Sequence, residues 1–197
     1  MKIGELNSIR RLYFGYEEIA RALKISPASA RVSASRYVRL GLLARLKRNT
    51  YVRRDRWQAA SQEERFALAN LGQSPSYISL FTALDYYEIT TQVQRGLIES
   101  VAVRRTKELS LGDSIFRYTK INRALYFGFV RQQDFFIATP EKAFLDAMYL
   151  MSFGRYTLDL AAIDGEKFDR KEIVRMSRKY PLKTRKMLEN HGYFGTA

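Results

Sequence analysis

Apolar positions in the first third of the chain recur at helical spacing in three short blocks. Leu6, Ile9, Leu12 and Tyr13 in "GELNSIRRLYF" predict a first helix that ends at the break of Gly15. "YEEIARAL" repeats the pattern with Ile19 and Leu23, and Glu17 and Glu18 stand at its start, where the helix dipole favours acids. Ser26 and Pro27 then form a hydroxyl cap followed by proline at the first helical position, and Gly41 closes the third block. Beyond it, "LLARL" and "TYVRR" flank "KRN" and predict a small hairpin with Lys47, Arg48 and Asn49 at its tip. Helix, helix, turn, helix and basic hairpin is the order of a winged helix-turn-helix.

From Gln58 the pattern changes. "SQEERFALANLG" reads as a helix with Ser61 and Glu64 as a capping box, and "SLFTALDYYEI" as an amphipathic helix capped by Ser79. "LIESVAVRRT", "SIFRYTKI", "ALYFGFVRQ" and "DFFIAT" are rich in aromatic and β-branched residues and predict a small mixed sheet. Thr139-Pro140 opens a strong helix over "TPEKAFLDAMYLMSFG". Two basic helices follow, one capped by Asp169 and one started by Pro181. The expected fold is α+β: a winged helix-turn-helix over residues 1–58, then a small mixed β-sheet domain flanked by helices over residues 59–197.

Charge changes this picture by pointing to a partner. The chain of 197 residues has a formal net charge of +14. Residues 1–60 hold 14 Lys and Arg against 4 Asp and Glu, a net +10, so most of the attraction for polyanions sits in the first third. Cysteine is absent and histidine occurs once, which excludes disulfide frameworks, Cys/His metal clusters and thiol nucleophiles. The longest apolar run, "AFLDAMYLMSF", is too short for a span and carries Asp146, and the N-terminus lacks the apolar core of a signal peptide. The expectation is a soluble cytoplasmic protein with no membrane partner.

Projected at about 100° per residue, the helix from Ser26 to Gly41 separates into two faces. Ala30, Ala34, Tyr37 and Val38 share the inner one. Ala28, Val32, Ser35, Arg36 and Arg39 share the outer one, with Ser29 and Arg31 flanking. Short side chains let a backbone approach the major groove, arginines reach guanine or phosphate, and Val32 can meet a thymine methyl. Arg45, Lys47, Arg48 and Arg53, with Arg54 nearby, are placed by the hairpin to grip the DNA backbone or minor groove. A solvated basic helix is the bland alternative. Binding of RNA through the aromatic "YFGF" of Tyr126 to Phe129 is another, although an aromatic strand is more often core.

Enzyme readings have little support. His191 suits a helix C-terminus and has no nucleophile motif beside it, and no phosphate-cradling glycine loop is present. Asp159, Asp164, Glu166 and Asp169 cluster, and Asp169-Arg170-Lys171 matches the D-x-K triplet of metal-dependent nucleases, but Asp164-Gly165 reads as a turn and Asp169 as a cap. The expectation is a protein without catalytic residues, metal or cofactor. A nuclease using residues 164–171 and a ligand-responsive regulator are the alternatives.

The wording of the second half carries more. "YISLFTALDYYEI", "ESVAVRRT", "FRYTKI", "LYFGF" and above all "IATPEKAFLDAMYL" resemble the C-terminal domain of the AbiEi family of antitoxins, from bacterial type IV toxin-antitoxin and abortive-infection systems. The resemblance runs from about Tyr77 to Leu150, and the N-terminal layout is that of the same family. It departs at Glu88, where a helix-ending glycine is often found after "YY", and residues 155–197 are placed by position only. The resemblance implies a repressor of its own operon that binds inverted repeats in double-stranded promoter DNA. It also implies a domain that antagonises a nucleotidyltransferase-like toxin without a stable complex. Within the motif, Thr139, Pro140 and Glu141 read as a helix start, and Lys142 and Asp146 as an (i, i+4) ion pair. The tail cations, among them Arg170, Lys171, Arg178 and Lys179, read first as solvated helix faces, with additional phosphate contacts as the alternative.

Overall fold

The structure is a computed structural model and describes residues 3–192. A 3-10 turn, Ile3–Ser8, leads to strand β1, Tyr13–Phe14, and then to helices α1, Tyr16–Leu23, and α2, Pro27–Arg39. Strands β2, Leu43–Lys47, and β3, Thr50–Arg53, form a hairpin, and β1 adds to it in the antiparallel order β1-β3-β2. The expected first helix is therefore confined to one 3-10 turn. The reason lies at its end, where Tyr13 and Phe14 pair with Val52 and Tyr51 and place one ring outward and one inward. That alternation is the period of a strand.

The helix boundaries follow local chemistry. Ser26 Oγ accepts from Ser29 N at 3.2 Å and Pro27 takes the first helical position, so α2 starts where the cap directs. The α1 helix begins with the Glu18 carboxylate accepting from Gly15 N at 2.9 Å and ends at Lys24 in a left-handed conformation. Gly41, at φ +69°, turns the chain out of α2 into the hairpin.

Helices α3, Arg54–Gln58, and α4, Gln62–Gly72, link this region to a six-stranded mixed sheet. The α4 helix carries the expected capping box, with Ser61 Oγ accepting from Glu64 N and Glu64 accepting from Ser61 N. The sheet is built from β4, Ser76–Ile78, β5, Leu97–Ala102, β6, Lys107–Leu111, β7, Ser114–Lys120, β8, Phe129–Gln132, and β9, Phe135–Ala138. Its order is β6-β7-β5-β4-β9-β8, parallel between β5 and β7 and between β4 and β9, antiparallel elsewhere. Helix α5, Leu80–Tyr86, follows β4, while α6, Pro140–Ser152, α7, Arg170–Ser177, and α8, Leu182–Asn190, close the chain. The fold is α+β. Two strands were not visible in the hydrophobic pattern: β4 is only three residues long, and β6 is a half-polar edge strand.

Two buried clusters share the hairpin. Leu43 and Tyr51 pack with Phe14, Ile19, Leu23, Ala30, Ala34 and Tyr37, whereas Leu46 and Val52 join Trp57 in the larger cluster around the sheet. The Trp57 ring meets Phe116 edge-on at 5.9 Å. It also lies so close to Gly112, itself at φ +62°, that a Cβ there would sit 3.1 Å from the indole. No helix among the described residues is long and apolar enough to cross a membrane.

Candidate nucleic-acid interface

The α2 helix divides as its sequence directs. Ala30 and Ala34 are fully buried and Tyr37 is 5% exposed, while Val38 is half-buried. Ala30 and Ala34 are small, which lets α1 pack closely across them. Ser29, Arg31, Val32, Ser35, Arg36 and Arg39 are all exposed on the other side, and Val32 is 70% exposed, a large apolar side chain left in water. Arg31 lies over the Tyr16 ring at 4.9 Å and Ser35 Oγ donates to the Arg31 carbonyl, so these two are held on the helix surface. Arg36 and Arg39 form no ion pair among the described residues.

The hairpin is less free than its charge suggests. Asn49, at φ +54° in the turn, accepts from Tyr16 N at 2.7 Å and donates to Glu17 at 3.0 Å, which pins the tip to the start of α1. The hydrogen bond from Asn49 lowers the Glu17 pKa. Lys47 Nζ donates to the Leu71 carbonyl at 2.7 Å, and Lys107 Nζ to Gly72 at 3.0 Å, so two ammonium groups cap the negative end of α4. Burial, with Arg105 and Lys47 nearby, lowers the Lys107 pKa. Arg53 is paired with Asp55 and reaches the Leu6 carbonyl. Arg45 is exposed and bonds the Lys47 carbonyl. Of the hairpin cations, Arg48 is exposed and has no ion-pair partner among the described residues. The structure thus brings Arg36, Arg39 and Arg48 to the surface unpaired, and ties Lys47 and Arg53 to the protein itself.

The motif at the start of α6 is built inward. Thr139 Oγ1 accepts from Lys142 N at 3.3 Å and Pro140 takes the first turn. Glu141, nearly buried, accepts from Asp169 N at 3.2 Å and so fastens the start of α7. Lys142 and Asp146 are both fully buried and form an ion pair. Asp146 also accepts from Tyr77 Oη and Ser79 Oγ, each at 2.9 Å, and from Tyr180 Oη at 3.1 Å, while Lys142 Nζ donates to Tyr180 Oη at 2.6 Å. Burial lowers the Lys142 pKa against the opposing pull of Asp146, and burial followed by the Asp146 charge raises those of Tyr77 and Tyr180. Ser79, expected to cap α5, makes no cap bond; its hydroxyl is turned inward and donates to Asp146. Tyr180 carries no sequence signal for this role, since it lies 34 residues beyond Asp146.

Three of the four acids of the nuclease alternative serve as caps, and the fourth, Glu166, is exposed. Asp159 accepts from Ala161 N, Asp164 from Glu166 N, and Asp169 from Lys171 N and Glu172 N. Among the described residues no group of three or more His, Cys, Asp or Glu side chains is arranged to hold a metal ion. In the tail, Arg170, Lys171, Arg178 and Lys179 are exposed.

No protein-family model matches the chain, and no curated protein matches it. Among solved structures, the crystal structure of the Rv2827c protein from Mycobacterium tuberculosis is similar, with a TM-score of 0.62 and 12% sequence identity over 97% of this chain and 76% of that one. At this identity the likeness is one of fold.

Proposed function

We propose that the N-terminal region is a winged helix-turn-helix and that the protein is a repressor of its own operon, binding inverted repeats in promoter DNA. The observation that carries this reading is the division of α2: a small buried face against α1, and an exposed face bearing Arg31, Val32, Ser35, Arg36 and Arg39. Such a face fits the major groove, where arginine reads guanine edges and an apolar side chain meets thymine methyls. Arg48 at the hairpin and the net +10 of the first 60 residues supply phosphate attraction. Fluorescence anisotropy with the gene's own upstream duplex and a scrambled duplex at physiological salt tests the reading. Preference for the upstream duplex, weakened by Arg36→Ala, supports it; equal affinity for the two duplexes refutes it.

The resemblance of the region from Tyr77 to Leu150 to AbiEi antitoxins supports a second activity, opposition to a nucleotidyltransferase-like toxin in a type IV system. No stable complex is required by this reading. Growth rescue on co-expression with such a toxin from the neighbouring gene, without co-purification of the two proteins, is its expected result.

A further inference from the structure

A cleft of about 810 Å³ opens between the segment leading into β1 and the hairpin of β8 and β9, with α4 as its floor. This size falls within the range of about 300–1,000 Å³ typical of small-molecule sites. One wall is aromatic. Phe129 is stacked on buried Tyr77, with centroids 4.6 Å apart and planes at 16°, and is braced by Tyr126 at 4.8 Å and Phe136 at 6.0 Å. Phe136 remains 41% exposed, and its backbone N–H is fixed by the Asn70 side-chain oxygen at 2.6 Å. The wall is therefore a braced ring surface open to solvent.

The same cleft is lined by Arg10 and Arg11, both exposed and without an ion-pair partner among the described residues. Its two acids do not neutralise them. Glu64 is paired with Arg56 and accepts from Ser61 N, and Asp134 faces Arg131 at 3.8 Å. Aromatic rings, with Phe136 edge-on to Phe129 at 87°, share the lining of this cleft with two arginines that have no ion-pair partner among the described residues, a combination that selects a ligand with a planar ring and an anionic group. Guanidinium forks match phosphate oxygens, and every nucleobase offers a π-face for stacking.

We propose that this cleft binds a nucleotide, with the base against Phe129 and Phe136 and the phosphate held by Arg10 and Arg11. The site is separate from the exposed face of α2 and does not rest on the repressor reading. A free nucleoside triphosphate and an unpaired nucleotide of a single strand share the chemistry.

Calorimetric titration of the full chain with ATP, and separately with an eight-nucleotide oligothymidylate at physiological salt, distinguishes the two sources. Saturable ATP binding identifies the free nucleotide; saturable binding of the oligomer alone identifies the strand. In either case Arg11→Ala and Phe136→Ala, both at exposed positions, each weaken binding by about tenfold or more. Thermal melting verifies that the two cleft variants remain folded. The proposal is overturned if neither probe binds at millimolar concentration, or if folded Arg11→Ala and Phe136→Ala bind as the parent does. Loss of promoter-duplex preference with intact ATP or oligomer binding counts against the repressor reading alone.

Discussion

Lys142 and Asp146, one turn apart on α6, form an ion pair in which neither side chain reaches the protein surface. The pair joins three parts of the fold, because Tyr77 comes from β4, Ser79 precedes α5, and Tyr180 lies between α7 and α8. Removing one charge strands the other. Lys142→Met should lower stability by about 3–5 kcal/mol, whereas Lys142→Met combined with Asp146→Leu should recover part of the loss. Urea unfolding of the single and double variants measures both, and a single variant as stable as the parent would show that the charges are not energetically sealed together.

Glu99 on β5 is buried, and its pKa is raised above the ordinary 4.5, first by burial, with the Tyr156 hydrogen bond and the Arg117 charge opposing. A carboxyl whose folded pKa exceeds its unfolded one contributes stability that is full below the unfolded value and lost as pH rises through the folded value. Glu99→Gln keeps an acceptor for Tyr156 without the charge. Its stability relative to the parent should therefore increase from pH 4.5 towards pH 7, which denaturant melts across that range would record.

Glu88 ends α5 at φ +57°, a left-handed conformation that costs a residue with a Cβ about 1–2 kcal/mol. Its backbone N–H donates to the Asp85 carbonyl at 2.9 Å and its side chain is exposed, so a replacement need only suit the backbone. Glycine adopts this conformation freely but loses more entropy on folding. Glu88→Gly should stabilise the protein by about 0.5–1 kcal/mol net, detectable as a higher thermal midpoint.

Lys47 is bonded to the Leu71 carbonyl at 2.7 Å, and Arg48 has no such tie. Under the proposed binding to promoter DNA, Arg48→Ala should weaken binding more than Lys47→Ala does, and should reduce the slope of log affinity against log salt by about 1. Titrations at several salt concentrations separate the two. A larger loss in Lys47→Ala would mean that this lysine leaves α4 when DNA arrives.

Trp57 is the sole tryptophan and packs with Leu46 and Val52 of the hairpin in the larger cluster, while Leu43 and Tyr51 of the same hairpin serve the smaller one. Because the hairpin strands contribute to both clusters, the two are expected to unfold together. Tryptophan fluorescence and far-UV circular dichroism should report a single coincident unfolding transition.

The features legible in the sequence are those set within one turn of helix or a few residues of strand. Ser26, Ser61, Thr139 and Asp169 cap helices because a side-chain oxygen needs only the next two or three N–H groups. The two faces of α2 follow from its 100° repeat, since the apolar side of a short helix has to find cover. Distance along the chain is what hid the rest. Leu12 and Tyr13 fit a helical spacing, but pairing of Tyr13 with Val52 made that segment a strand. Lys142 and Asp146 are equally compatible with a solvated (i, i+4) pair, and only the arrival of Tyr77, Ser79 and Tyr180 buried them. Lys47 reads as a free cation until α4 presents its carbonyls, and nothing near Arg10 and Arg11 in the sequence tells that they share a cleft with the aromatic rings of the β8–β9 hairpin. Backbone periodicity and capping are local and were fixed by the residue order, while burial of charge and the meeting of arginines with rings depend on segments dozens of residues apart, and tertiary packing alone decided them.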